Sequence, residues 1–307
     1  LKKEFTYLKV NSLIEASRPK HWVKNLLVFL APLLTFKFNS EVWFAALISF
    51  FVFNLAASSI YLFNDSIDYK SDRAHPKKKF RPIASDKLSR RSAIIISFFL
   101  SFTSLIISFK LNTFLFLIIF LYILIQIIYC LKLKNEPLLD IFCVASGFLL
   151  RSISGGVASN LFISPWFILS VGLLALFLAL EKRKAELRIY AISGSNTREV
   201  LNNYSMPLLL RLESIVSTGS FITYSLWASG PVLKGATTSW MLLTVPIVLM
   251  GIFRYQFLSD PSIMNKPNRL DLSFDSENPV NIFLSDKGML TIFSTWLITA
   301  FIISNLN

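Results

Sequence analysis

Asn64-Asp65-Ser66-Ile67-Asp68-Tyr69-Lys70-Ser71-Asp72 closes a largely apolar run that begins near Val42. The three aspartates step by three and then by four residues, so a helix continued through them puts all three carboxylates on one face. Tyr61, Ser58 and Asn54 carry the same stripe back into the apolar run. Polar groups are costly against lipid, so this stripe is expected to face a cavity within a helical bundle. Clustered carboxylates repel one another unless a cation neutralises them. Hard oxygen donors suit Mg2+, which binds through one or two carboxylates together with substrate phosphate. A solvated acidic helix end, balanced by Lys70 and Arg73, would account for the aspartates but not for the stripe.

The surrounding chain fits a membrane setting. Of 307 residues, 54% are hydrophobic and 16% are charged, against about 45–50% and about 25% in a soluble protein. Nine stretches approach the ~20 apolar residues that cross a bilayer: roughly 22–37, 42–63, 93–109, 112–131, 138–158, 162–180, 213–233, 238–257 and 288–304. They predict an all-α polytopic bundle of nine transmembrane helices, one integral membrane domain over residues 1–307. The short alternating segments of a β-barrel are absent.

Charge sets an expected orientation. The N-terminal segment and the loops near 64–92, 132–137, 181–212 and 254–287 hold 27 of the 31 Lys and Arg residues. The positive-inside rule then places the N-terminus, these loops and the aspartates on the cytoplasmic side of the cell (inner) membrane. The net charge of +13 lies between apolar runs. It therefore points to a membrane surface and phosphorylated substrates rather than to nucleic acid. The polar segment through Arg18 predicts no cleavable signal peptide. Cys130 and Cys143 read as buried thiols without a disulfide framework. A homo-oligomer is compatible with such a bundle, and no segment demands one.

Basic residues flank the acidic stretch. In Arg73-Ala74-His75-Pro76-Lys77-Lys78-Lys79-Phe80-Arg81-Pro82-Ile83, Lys77 to Lys79 suit an anchor on anionic lipid. Arg73 and Arg81 suit a polyphosphate. In Arg18-Pro19-Lys20-His21-Trp22-Val23-Lys24-Asn25, Lys24 and Asn25 begin the apolar run and are expected to point inward. Tyr129, in the last turns of the fourth predicted span, is a further substrate-binding candidate. Asp140 and Arg151 lie eleven residues apart and share a helix face, with Gly147 and Gly155. That face reads equally as a ligand site or as one side of a buried ion pair. Lys182, Arg183 and Glu186 end the sixth span. Only His21 and His75 are available as imidazoles, and no nucleophile–base set assembles. The chemistry is then metal-assisted departure of a diphosphate, which depends on charge neutralisation rather than on a covalent intermediate.

The pattern Asn64-Asp65-x-x-Asp68-x-x-x-Asp72 resembles the first aspartate-rich motif of the UbiA superfamily of membrane prenyltransferases. Arg81-Pro82-Ile83-Ala84 matches a stretch common in that family, and helix count and motif order extend the match over nearly the whole chain. Arg18-Pro19-Lys20-x-Trp22-Val23-Lys24-Asn25, Asp72-Arg73-x-His75-Pro76, and Leu139-Asp140 through Gly147-Phe148-Leu149-Leu150-Arg151 to Gly155-Gly156 resemble the branch that moves phosphoribose. Lys182-Arg183-x-x-Glu186-Leu187 stands where users of prenyl diphosphates keep a second aspartate-rich motif.

The resemblance implies a Mg2+-dependent pentosyltransferase. Its donor is phosphoribosyl diphosphate, its acceptor is a polyprenyl (decaprenyl-type) phosphate, and C1 is inverted. It implies Asp65, Asp68 and Asp72 as metal ligands and Asn64, Asp65 and Asp68 as catalytic residues. It also implies Lys24, Arg73, Arg81, Tyr129, Asp140, Arg151, Lys182, Arg183 and Glu186 as substrate contacts. Asp286 fits the related proteins, while Val280 stands where an acidic residue is expected after Pro279. A prenyltransferase joining an allylic diphosphate to an aromatic acceptor would need a second aspartate-rich motif near 182–190. A transporter would gather its charges near the bilayer midplane, where only Arg151 is expected.

Overall fold

The computed structural model describes residues 10–35, 39–75, 77–193, 199–231, 235–260 and 285–306, and none of them forms a strand. The main helices are α1 (Ser40–Ile67), α2 (Tyr69–Ala74), α3 (Arg90–Leu111), α4 (Thr113–Leu131), α5 (Leu139–Ala158), α6 (Pro165–Ser193), α7 (Met206–Ala228), α8 (Val245–Ser259) and α9 (Lys287–Asn305). Among the described residues, seven helical stretches are long and apolar enough to cross a membrane. The chain is a multi-pass membrane protein.

Two of the nine expected spans differ. The first, 22–37, is a 3-10 helix over Pro19–Phe29 that closes in one α-turn, Leu30–Leu33. Residues 36–38 lie outside the described set. The apolar count there is that of a span, but Pro32 has no N–H to give to a regular α-helical ladder. The other is α7, which is long enough, but its Ser and Thr residues, with Arg211 and Glu213, dilute its hydropathy.

The chain divides into two compact units. The first comprises Leu1–Lys134 and Leu150–Phe162. In it α1 packs along α3, α4 and the Pro19–Phe29 segment. Side-chain caps start the helices where the backbone N–H groups would otherwise be unpaired. Asn39 caps α1, Ser89 caps α3, and Asn112 caps α4 while forming the whole connection from α3. Serines line the α1–α3 seam: Ser97 donates to the Ser59 carbonyl and Ser101 to the Ser59 hydroxyl, both at 2.8 Å. Small hydroxylated residues allow this close approach and keep their polar atoms off the lipid. Val28, Val52, Phe53, Leu115 and Ile119 form the core. Phe98, Phe99, Phe109 and Phe114 stay exposed, as outward faces of spans solvated by acyl chains.

The second unit comprises Asn135–Leu149 and Ile163–Asn307. Here α6 lies along α7, and α8 along α9. Phe177, Tyr255, Leu258 and Met289 pack together. Ser205 caps α7. Asp286 caps α9 and takes a two-pronged ion pair from Arg254 at 2.7 and 3.0 Å.

Candidate active site

In the first unit the polar stripe of α1 meets the Arg18–Asn25 segment rung by rung. Asn25 donates to Asn54 Oδ1 at 2.6 Å, and the Trp22 indole donates to the Ser58 hydroxyl at 3.2 Å. His21 stands edge-on to Tyr61, with ring centres 5.4 Å apart. Arg18 lies 5.0 Å over the Tyr61 ring and pairs with Asp65 at 2.6 Å. The two strips run antiparallel, so residues 18, 21/22 and 25 match 65, 61/58 and 54. Arg18 takes a left-handed backbone, φ 52, which is uncommon for a residue with a side chain. The Asn54 amide nitrogen is buried with no hydrogen-bond partner among the described residues.

The aspartates end this seam. Helix α1 stops at Ile67 and α2 begins at Tyr69, but Asp68 N–H still bonds to Asn64 O and Asp72 N–H to Asp68 O. The helical path therefore carries through the motif. Asp65 is 2% exposed and Asp72 3%, and both accept from Nη1 of Arg81. Burial raises the Asp72 carboxyl above the ordinary range, and the Arg81 charge only partly offsets it. Asp68 pairs instead with Lys134 at 2.6 Å. Among the described residues no group of three His, Cys, Asp or Glu side chains is arranged to hold a metal. Two carboxylates do converge on one cationic nitrogen, a donor set that fits a divalent ion completed by phosphate oxygens.

The other expected residues of this unit fall around the seam or beside it. Arg151 donates to Asn25 Oδ1 at 2.6 Å and to the Tyr122 hydroxyl at 2.8 Å, and its guanidinium sits 4.8 Å over the Tyr122 ring. It thereby extends the seam inward, with uncharged oxygens among its partners. Lys24, Asn64 and Tyr129 are half-buried. Arg73 fastens the following loop instead: it pairs with Asp86 and donates to the Ala84 carbonyl at 2.9 Å. Lys134 and Tyr122 were not among the expected site residues, and neither was Arg18. Its signal was a basic residue before proline at the head of the first apolar run.

The second unit holds a separate ionic cluster. Asp140, fully buried, accepts from Arg183 Nε and, at 2.6 Å, from the Tyr204 hydroxyl. Arg183 Nη1 also pairs with Glu186. Tyr204 Oη accepts in turn from the Leu138 N–H at 2.6 Å. Burial and the bond to Asp140 push the Tyr204 hydroxyl above the ordinary tyrosine range, so it stays protonated and donating. Asp140, Arg183 and Glu186 thus come together, while Lys182 is half-buried beside them in sequence. Lys184 bridges Glu181 and Glu213, and Gln256 donates to Glu213 at 3.0 Å. Tyr204 and Glu213 carried no motif. Val280 and its neighbours lie outside the described residues.

The chain is similar to known proteins along most of its length. The model of the UbiA prenyltransferase family matches residues 26–273. A decaprenyl-phosphate phosphoribosyltransferase of Mycolicibacterium smegmatis is 36% identical over 300 residues, 94% of this chain and 91% of that protein. A protein of the same name from Mycobacterium tuberculosis is 34% identical over 295 residues, 94% and 93% of the two chains. The solved structure of a UbiA homolog from Archaeoglobus fulgidus bound to DMAPP and Mg2+ superimposes with a TM-score of 0.65. That match covers 96% of this chain and 100% of the other at 17% identity, a likeness of fold.

Proposed function

The chain belongs to the UbiA prenyltransferase family, and on that premise we propose that it transfers 5-phosphoribose from phosphoribosyl diphosphate to a decaprenyl-type polyprenyl phosphate. The products are polyprenyl-phosphoryl-5-phosphoribose and diphosphate. The observation that carries this reading is the 36% identity along 94% of the chain to an enzyme of that name.

Asp65 and Asp72, with Asp68, would hold Mg2+, which when bound neutralises the donor's diphosphate and eases its departure. Asn64 orients these carboxylates. Arg81, already seated between two of them, and Lys24 and Arg73 supply positive charge for donor phosphates. Arg151 and Tyr129 are assigned to substrate binding in the same unit, and Asp140, Lys182, Arg183 and Glu186 in the other. The lipid phosphate is an anion at neutral pH, so it attacks C1 without a strong general base and inverts that centre. Residues 1–307 act as one transferase domain of the cell membrane, with the N-terminus and the aspartates cytoplasmic.

The rival is a prenyl transfer from an allylic diphosphate. Arg183 and Lys182 argue against it, because they stand where that chemistry keeps carboxylates. The test offers purified protein both donors, each with polyprenyl phosphate or an aromatic acceptor, in the presence of Mg2+. Product from phosphoribosyl diphosphate alone supports the proposal, and product from the allylic donor alone rejects it.

A further inference from the structure

Arg183 is 1% exposed and carries a long, flexible side chain. Its guanidinium plane is set by what holds it, namely Asp140 at Nε and Glu186 at Nη1. Asp140 can orient Arg183 only if its own carboxylate is fixed. Its second oxygen receives the Tyr204 hydroxyl at 2.6 Å. Tyr204 is anchored in turn, because its oxygen accepts the Leu138 N–H at 2.6 Å. Leu138 has a left-handed backbone, φ 68, directly ahead of α5. One hydroxyl therefore ties a strained helix entrance to the carboxylate that sets an arginine. Tyr204 comes from the stretch between the short helix Glu199–Asn203 and α7, and it touches Arg183 through Asp140.

We propose that Tyr204 is a positioning residue for phosphoribosyl transfer, holding Asp140 so that Arg183 presents its guanidinium to the donor. The inference rests on the reading of Arg183 as a donor contact. A buried hydrogen bond to a charged acceptor is strong because neither partner has water to turn to. Tyr204→Phe keeps the ring in its packed place and removes only the hydroxyl. Asp140→Asn weakens the same link from the other side and gives an independent route should one variant fold poorly.

The experiment measures kcat and KM for phosphoribosyl diphosphate and for polyprenyl phosphate, with the midpoint of thermal unfolding in detergent. It compares wild type, Y204F, D140N, the double variant and R183K. Y204F is expected to raise the donor KM about tenfold, the loss of one charge-assisted hydrogen bond. Its kcat stays within about twofold and its lipid KM stays unchanged, since only donor contacts pass through Arg183. The double variant is expected to be no worse than D140N, because the hydroxyl acts through that carboxylate. A folded Y204F with wild-type donor KM, or losses that add in the double variant, overturns the inference. A loss confined to the unfolding midpoint and kcat also overturns it and leaves Tyr204 a structural residue. An unchanged donor KM in R183K overturns the parent reading of Arg183 instead. A raised KM in R183K without one in Y204F removes only the positioning role.

Discussion

Asp65 and Asp72 end on the same nitrogen: Nη1 of Arg81 stands 3.1 Å from one carboxylate and 2.7 Å from the other. Two acidic side chains that are almost fully buried are thus held together by one cation from the loop that follows them. On the proposed function, a divalent ion held by these carboxylates would share that neutralising role.

Arg81→Met leaves these carboxylates facing each other. Removing one partner of a buried ion pair costs about 3–5 kcal/mol. The Arg81 side chain is 25% exposed, so solvent softens the loss to about 1–2 kcal/mol. The unfolding midpoint in detergent falls accordingly, and added Mg2+ raises it more in the variant than in wild type. Equal midpoints without metal would contradict this.

Asp72 has the opposite sign from most paired carboxylates. Burial raises its folded-state pKa, so the fold disfavours its ionised form. The stability it contributes is full below the ordinary carboxylate pKa of about 4 and declines as pH rises through the higher folded value. Asp72→Asn therefore unfolds at a higher temperature than wild type at pH 7 with chelator present, and its stability varies less between pH 4 and 7. Its transferase activity falls at the same time. A destabilised D72N at pH 7 would count against this account.

Asp286 behaves conventionally. The Arg254 guanidinium holds its carboxyl below the ordinary range. Its contribution is present above about pH 4, the ordinary value, and is lost as pH falls through the lower folded pKa. Thermal melts across pH 2–5 are expected to show a decline in wild type that D286N lacks.

How much of this was legible in the sequence depends on range. The stripe Asn54, Ser58, Tyr61 and Asp65 shares one helix face by spacing alone, and the structure turns that face onto polar partners. The all-helical membrane architecture followed from hydropathy in the same local way. The 3-10 winding of Pro19–Phe29 was not legible, because an apolar count does not distinguish it from regular α-helix. Arg18 went unassigned because its partner is 47 residues away. Tyr204 meets Asp140 across 64 residues, and a lone tyrosine outside any periodic segment carries no local signal. Arg73 looked like its neighbour Arg81, yet the turn delivers it to Asp86.

Arg151 and Asn25 form a buried pair 2.6 Å apart, 126 residues distant in sequence. A double-mutant cycle with Arg151→Met and Asn25→Ala is expected to show a coupling of about 0.5–3 kcal/mol in unfolding free energy, the range for residues sharing one network. Additive losses would show that the polar seam is not a single network.

The most direct measurement incubates purified protein with radiolabelled phosphoribosyl diphosphate, a polyprenyl phosphate and Mg2+, and follows label into the organic phase. Transfer is expected that stops with chelator and falls at least about 100-fold in Asp65→Ala and Asp68→Ala, in keeping with loss of the charge stabilisation a bound metal supplies. No transfer by folded protein across several lipid lengths, or transfer indifferent to both aspartates, would contradict the account.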